Sequence, residues 1–169
     1  MTNTRAINDI IYHMLRYQKK HKVIKCCVQN SLYLRDNINV NGWGEDVKAV
    51  PVLAVIPDVS KDTLKIFVHV VIECEGHLYD PSYEVASQQP MTYCRTFVEL
   101  LRYVENASED FLKTMLTEFL SFQNLADKIN SGEFIVVDRE HYINQANYVE
   151  KIFNPKNNKP FKYSITAGR

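Results

Sequence analysis

Leu64-Lys65-Ile66-Phe67-Val68-His69-Val70-Val71-Ile72-Glu73-Cys74, continued by Glu75-Gly76-His77-Leu78-Tyr79-Asp80-Pro81-Ser82, is the stretch whose reading decides the fold. Its first half alternates: Leu64, Ile66, Val68, Val70 and Ile72 fill one face of a strand, while Lys65, Phe67, His69, Val71 and Glu73 point to the other. One face is core and the other carries a histidine. A two-residue turn at Glu75-Gly76 makes Cys74 face His77, and Val71 then faces Asp80. His69 is two residues from Val71, so His69 and Asp80 become diagonal neighbours on one face, roughly 7–8 Å apart at the backbone. At that separation a carboxylate can accept a hydrogen bond from an imidazole N–H. A three-residue loop would instead send Asp80 to the opposite face.

Upstream, Val50 to Ile56 is a short apolar run rich in branched residues and reads as a buried strand. A helix is expected to start near Cys26 or Cys27 and to run to about Ile38, broken by Asn39, Asn41 and Gly42. On it, Cys27, Ser31, Leu34 and Ile38 share one stripe, whereas Cys26 aligns with Asn30, Tyr33 and Asn37, which puts Cys27 on the more core-facing side. Ile7, Ile10, Ile11, Met14 and Leu15 make an earlier amphipathic helix that Lys19-Lys20-His21-Lys22 ends. The basic stretch from Lys19 to Lys25 reads as a solvated face.

Downstream of Pro90 the pattern turns helical, first over Phe97, Leu100, Leu101 and Val104, then over Phe111, Met115, Leu116, Phe119 and Leu120, with Ser108 as the start signal of the second stretch. These helices are expected to cover the core and to shape one rim of the cleft. Phe134 to Val137 is a strand candidate, Tyr142 to Phe153 a last helix, and Phe161 to Ile165 an edge strand. His13, His21 and His141 fall on polar or helical stretches and read as surface histidines. The expected fold is α+β, a single domain over residues 1–169 with helices gathered at both ends of a mostly antiparallel sheet.

The composition agrees with a folded domain. Of 169 residues, 46% are hydrophobic and only five are Gly and six Pro, which excludes disorder and low-complexity linkers. Lys+Arg and Asp+Glu are both 20, so the whole-domain field is weak and no basic patch points to nucleic acid. Asn8, Asp9, His13 and Arg16 break any apolar run that a signal peptide or membrane span would need, so no membrane association is expected and the chain is assigned to the cytoplasm. In that compartment the four cysteines are expected as free thiols.

A thiol at a helix start meets the positive end of the helix dipole and its unpaired N–H groups, which favour a thiolate and can hold an oxyanion during acyl transfer. Cysteine at a helix start, histidine on a central strand and aspartate on the next strand together make a thiol triad. The ordered residues Cys27-Val28-Gln29-Asn30-Ser31, Asn41-Gly42-Trp43, His69 and Gly76-His77-Leu78-Tyr79-Asp80-Pro81-Ser82 resemble the compact transglutaminase-like branch of the papain-like cysteine hydrolases, over about a third of the chain. The resemblance implies a nucleophile-bearing helix packed on an antiparallel sheet, with Cys27 as nucleophile, His69 as base and acid, and Asp80 as orienter. It implies cleavage of amide or isopeptide bonds, or acyl transfer to amines, on a protein or peptide substrate and with no cofactor; some members are non-catalytic.

Where many relatives carry Ala-Trp after the histidine, this chain has Val70-Val71, and Trp43 is the candidate replacement for that substrate wall. Gln29 and Asn30 are the candidates for an oxyanion donor, and Cys26 is the competing nucleophile if the helix starts one residue earlier. Two other readings stand beside the enzyme. One is a catalytically inactive binding module that holds a peptide or protein in the same groove, plugged by Tyr33 or Trp43. The other is a zinc site in which Cys74 and His77, spaced C-x-x-H, join Cys26 or Cys27 and Cys94; its second half lacks a tight ligand pair, so no metal is assigned.

Overall fold

The computed structural model describes residues 1–88 and 91–132 and the backbone of residues 161–164. The strand candidate at 134–137, the helix candidate at 142–153 and His141 lie outside the described residues. Helix α1 (Thr4–His21) and helix α2 (Cys27–Asn41) come first, then strand β1 (Val47–Asp58), a short 3-10 turn, strand β2 (Thr63–Cys74) and strand β3 (His77–Tyr79). A one-turn helix α3 (Tyr83–Ala86), strand β4 (Thr92–Cys94), helix α4 (Phe97–Leu101), helix α5 (Glu109–Asn130) and strand β5 (Phe161–Ser164) follow. The class is α+β. The strands make one antiparallel sheet in the order β3-β2-β1-β4, with β5 also paired to β2.

The hairpin register is the expected one. Cys74 faces His77 and Ile72 faces Tyr79, across a turn in which Glu75 (φ 49°) and Gly76 (φ 85°) both occupy the left-handed region. That pair of positive φ values is what a two-residue turn needs to match the twist of its strands. β1 pairs with β2 along its whole length, Val52 opposite His69 and Ala54 opposite Phe67. It starts at Val47, earlier than its apolar run, and carries Pro51 in mid-strand. The backbone of Ala49 is bonded to the Asn130 side chain. By alternation the Pro51 nitrogen points to that same side, away from β2, where no ladder bond is lost.

The first face of β2 builds the main core. Ile66, Val68, Val70 and Ile72 pack with Leu53 and Val55 of β1, with Ile7, Ile11 and Met14 of α1, with Leu32, Leu34 and Ile38 of α2, and with Met115, Phe119 and Phe122 of α5. Leu116 and Leu120, expected on the apolar side of α5, are instead exposed; its buried stripe runs through Met115, Phe119, Phe122, Leu125, Ala126 and Ile129. The second face of β2 is covered too. Ala54, Ile56 and Phe67 pack with Val85 of α3, and Tyr93 and Met91 lie against them.

Helix α2 is enclosed rather than amphipathic, since it touches α1, α5, β1 and β2. Both of its cysteine-bearing stripes are therefore largely buried, and Asn30 and Asn37 are as inaccessible as Cys27. Ser31 fixes its approach: the Ser31 hydroxyl donates to the Val70 carbonyl at 3.1 Å, on the stretch of β2 between its β3 and β5 pairings. At the far end of the sheet Asn130, the last residue of α5, stands in for a missing strand. Its Oδ1 accepts from the Ala49 N–H at 2.7 Å and its Nδ2 donates to the Ala49 carbonyl at 2.8 Å.

Replacing Asn130 with Ala strands both backbone groups of the buried Ala49, which should cost about 2 kcal/mol in urea unfolding. Asn130→Asp keeps the acceptor but not the donor and should lie between the two. An N130A protein as stable as the parent would show that the clasp contributes nothing.

Candidate functional site

The α1–α2 connection delivers the thiol. Lys22 (φ 53°) ends α1 in a left-handed conformation, and Lys25 (φ 58°) turns the chain again. The Lys25 N–H is held by Glu84 Oε2 at 2.9 Å. Cys26 then serves as the N-cap and Cys27 as the first residue of α2. The Cys26 thiol donates back to the Ile24 carbonyl at 3.1 Å and gives no side-chain cap to the helix. Cys27 thus opens the first turn of α2, next to an N-cap whose side chain is turned away from the helix.

The hairpin delivers the other two groups. Because β3 keeps the two-residue register, Asp80 returns on the His69 face, and Asp80 Oδ1 lies 2.9 Å from His69 Nε2. The turn after it is an Asx turn: the Ser82 N–H donates to the same oxygen at 2.9 Å. Asp80 Oδ2 accepts from the Tyr93 hydroxyl. The Ser82 N–H and the Tyr93 hydroxyl thus donate one to each Asp80 oxygen, and His69 Nε2 completes the surroundings of Oδ1. The Asp80 side chain is 5% exposed and that of His69 1%.

The second ring nitrogen of His69, Nδ1, is buried with no hydrogen-bond partner among the described residues, and the thiol adjoining the ring is that of Cys27. Burial alone depresses the imidazole pKa. The charge of Asp80, the hydrogen bond to it and the neighbouring Cys27 outweigh that effect and carry His69 up to about 10. Burial pushes the Cys74 thiol up, and burial with the charge of Glu99 pushes that of Cys94 up to about 11. All four cysteines are buried thiols outside any disulfide among the described residues.

Behind the three groups lies a polar brace. Gln18 of α1 donates through Nε2 to the Pro81 carbonyl at 2.6 Å and accepts at Oε1 from the Tyr83 N–H at 2.9 Å. Asn30 Nδ2 donates to Ser82 Oγ at 2.9 Å and reaches Gln18 Oε1 at 3.4 Å. The Asn30 amide is thereby committed to tying α2 to the Asp80-Pro81-Ser82 turn. Gln18 has a legible signal: it continues the Ile7, Ile11, Met14 stripe at helical spacing and is 1% exposed, a polar residue on a buried face. Tyr93 has none, because three-residue β4 shows no periodicity.

Cys26, Cys27, Asn30, Ser82, Glu84 and His69 border a crevice of about 180 Å³ too narrow to admit water, walled on one side by Val23 to Cys26. The cleft is shaped by the α1–α2 connection and α3, and not by α4 and α5 as their position after the hairpin suggested. Trp43 is not brought to it. Its backbone N–H bonds to the Ile38 carbonyl at the C-terminal end of α2, and its ring packs half-buried on the main core. A helix rising 1.5 Å per residue sets that end roughly 20 Å from Cys27. Gln29 is fully buried away from the crevice, and Tyr33 packs on the core, so neither Tyr33 nor Trp43 plugs it.

Among the described residues no group of three or more His, Cys, Asp or Glu side chains gathers closely enough to share a metal ion. Cys74 sits at the hairpin base with its thiol on the Glu45 carbonyl, and Cys94 faces Leu53 across β1. Among those residues, too, no helix is long and apolar enough to cross a membrane. No protein-family model matches the chain, and no curated protein or solved structure matches it.

The fold favours protonated His69, so the His69–Asp80 pair contributes fully below the free-histidine pKa near 6.5 and loses its contribution as pH rises to about 10. The stability difference between the parent and Asp80→Asn, from urea unfolding, should therefore shrink steadily across that window. A difference that stays constant from pH 6 to 10 would mean that the imidazole does not hold its proton in the fold.

Proposed function

We propose that the protein is a cysteine-dependent hydrolase or acyltransferase with a papain-like arrangement, acting on an amide or isopeptide bond of a protein or peptide. The observation that carries this reading is the contiguous line of buried groups at the start of α2: the Cys27 thiol against the His69 ring, and Asp80 Oδ1 2.9 Å from His69 Nε2.

Each group has one task in the chemistry. Protonated His69 and the first turn of α2 stabilise the thiolate form of Cys27. The sulfur attacks the carbonyl carbon, and the oxyanion that forms is met by first-turn N–H groups of α2. Collapse breaks the carbon–nitrogen bond while His69 returns the proton to the leaving amine, which leaves a thioester on Cys27. Water, deprotonated by His69, then releases a carboxylate, or an amine accepts the acyl group. Asp80 holds the ring in the tautomer these transfers need.

The narrow crevice favours a second reading, a binding module of the same fold that has no turnover. The two differ in whether the thiol reacts. On the enzyme reading, the connection at 23–26 moves to admit substrate, and the Lys25–Glu84 contact is what holds it closed.

Alkylation by iodoacetamide at pH 6, followed by peptide mass spectrometry, separates them. Cys27 should be labelled first and Cys74 and Cys94 last, and Cys27→Ala should remove capture by a cysteine-directed electrophilic probe. Glu84→Ala should raise the Cys27 rate by about tenfold or more, the loss of one charge-assisted hydrogen bond. Uniform labelling of the four thiols, or probe capture that survives in C27A, contradicts the enzyme. A slower Cys27 in E84A contradicts the closing role of Glu84 alone.

A further inference from the structure

Asp80 is held from a strand that is not its neighbour. Tyr93 lies on β4, opposite Ala54 of β1, and Ala54 lies opposite Phe67 of β2. Facing residues share a side of the sheet, so Tyr93 shares the side of His69. The small Ala54 side chain leaves low ground between the outer strands, and the phenol crosses it to donate its hydroxyl proton to Asp80 Oδ2. β4 itself is pinned beside the hairpin, because Arg95 donates to Glu73 Oε2 and, at 3.0 Å, to the Gly76 carbonyl.

We propose that Tyr93 is a positioning residue for the thiol chemistry: its hydroxyl fixes the Asp80 carboxylate so that Oδ1 stays on His69 Nε2 and the opposite ring nitrogen stays turned to Cys27. The inference rests on the hydrolase or transferase reading. A carboxylate bonded through Oδ1 alone can rotate about its Cβ–Cγ bond and exchange its two oxygens at the imidazole. A donor locked onto Oδ2 from the far side removes that freedom. The Tyr93 proton is itself strongly retained, since burial, the charge of Asp80 and the hydrogen bond to it all raise the phenol pKa. Tyr93 thus donates throughout the range in which the thiol works and takes no proton from the line. The other ionisable groups around this line are Cys26 and Lys25 of the connection and Glu84 of α3, which border the crevice on the Cys27 side.

The test uses Tyr93→Phe, which keeps the ring and removes the hydroxyl, in the parent and in Asp80→Asn. Two quantities are read: the rate of Cys27 alkylation, and the NMR signal of the His69 Nε2 proton with its exchange with solvent. Y93F should slow alkylation by about tenfold, the effect of one lost hydrogen bond to a buried carboxylate, and speed exchange of the Nε2 proton by a similar factor. In the D80N background the same change should alter neither. Circular dichroism and a melting curve establish that each variant is folded. An unchanged Nε2 proton in folded Y93F, or an equal loss in both backgrounds, overturns the role of Tyr93. The Nε2 signal does not depend on Cys27 being reactive. An inert Cys27 in the parent therefore defeats the enzyme reading, while the effect of Tyr93 on the imidazole remains measurable.

Discussion

An imidazole and a carboxylate, both almost wholly removed from water, hold one another at 2.9 Å on the second face of the sheet. Either one alone would be an unpaired buried charge, one of the most destabilising features a fold can contain. Their pairing depends on parity. The left-handed conformations of Glu75 and Gly76 set a two-residue turn, and that turn returns Asp80 to the side of His69. One more residue in the turn would place the two groups on opposite sides of the sheet. The surrounding polar groups follow from this requirement. The Ser82 N–H and the Tyr93 hydroxyl complete the carboxylate, and Gln18 and Asn30 fasten the turn that carries it to α1 and α2.

This pairing was legible from residue order because hairpin geometry is local. A two-residue turn and an alternating strand suffice to place His69 and Asp80 together. The start of α2 was legible for a similar reason, whereas its end was not: the helix continues through Asn39 to Asn41, past the expected stop near Ile38, and is ended by Gly42 (φ 64°). Long-range placements were not. Nothing in Thr92-Tyr93-Cys94 announces a strand, and no local rule brings its phenol across β1. The stripe argument that separated Cys27 from Cys26 assumed a helix with one wet side, whereas α2 is enclosed and hides nearly all of its first twelve residues. Trp43 follows α2 in sequence as a candidate substrate wall would, yet the length of the helix carries it to the other end of the domain. Leu116 and Leu120 looked like core at helical spacing but face outward, because Phe122, Leu125 and Ile129 extend the buried stripe on a slightly different line.

The chemistry proposed for Cys27 joins three placements of different origin. A helix start supplies partial positive charge, a central strand supplies a rigid base, and a turn supplies the acid that orients it. The two remaining core thiols lack such surroundings, and burial makes them poor nucleophiles. The chain therefore contains its own controls. The narrow crevice above the thiol is closed by a short connection, turned by a left-handed Lys25 and tied to Glu84, that screens the Cys27 sulfur from solvent.

The central claim is that an imidazolium held by Asp80 sustains a thiolate at Cys27. Its most direct measurement is the ultraviolet absorbance of the thiolate as a function of pH, taken as the difference between the parent and Cys27→Ala. The account predicts that the difference signal depends on the carboxylate and is lost in Asp80→Asn. A signal that is the same with and without the carboxylate would contradict it.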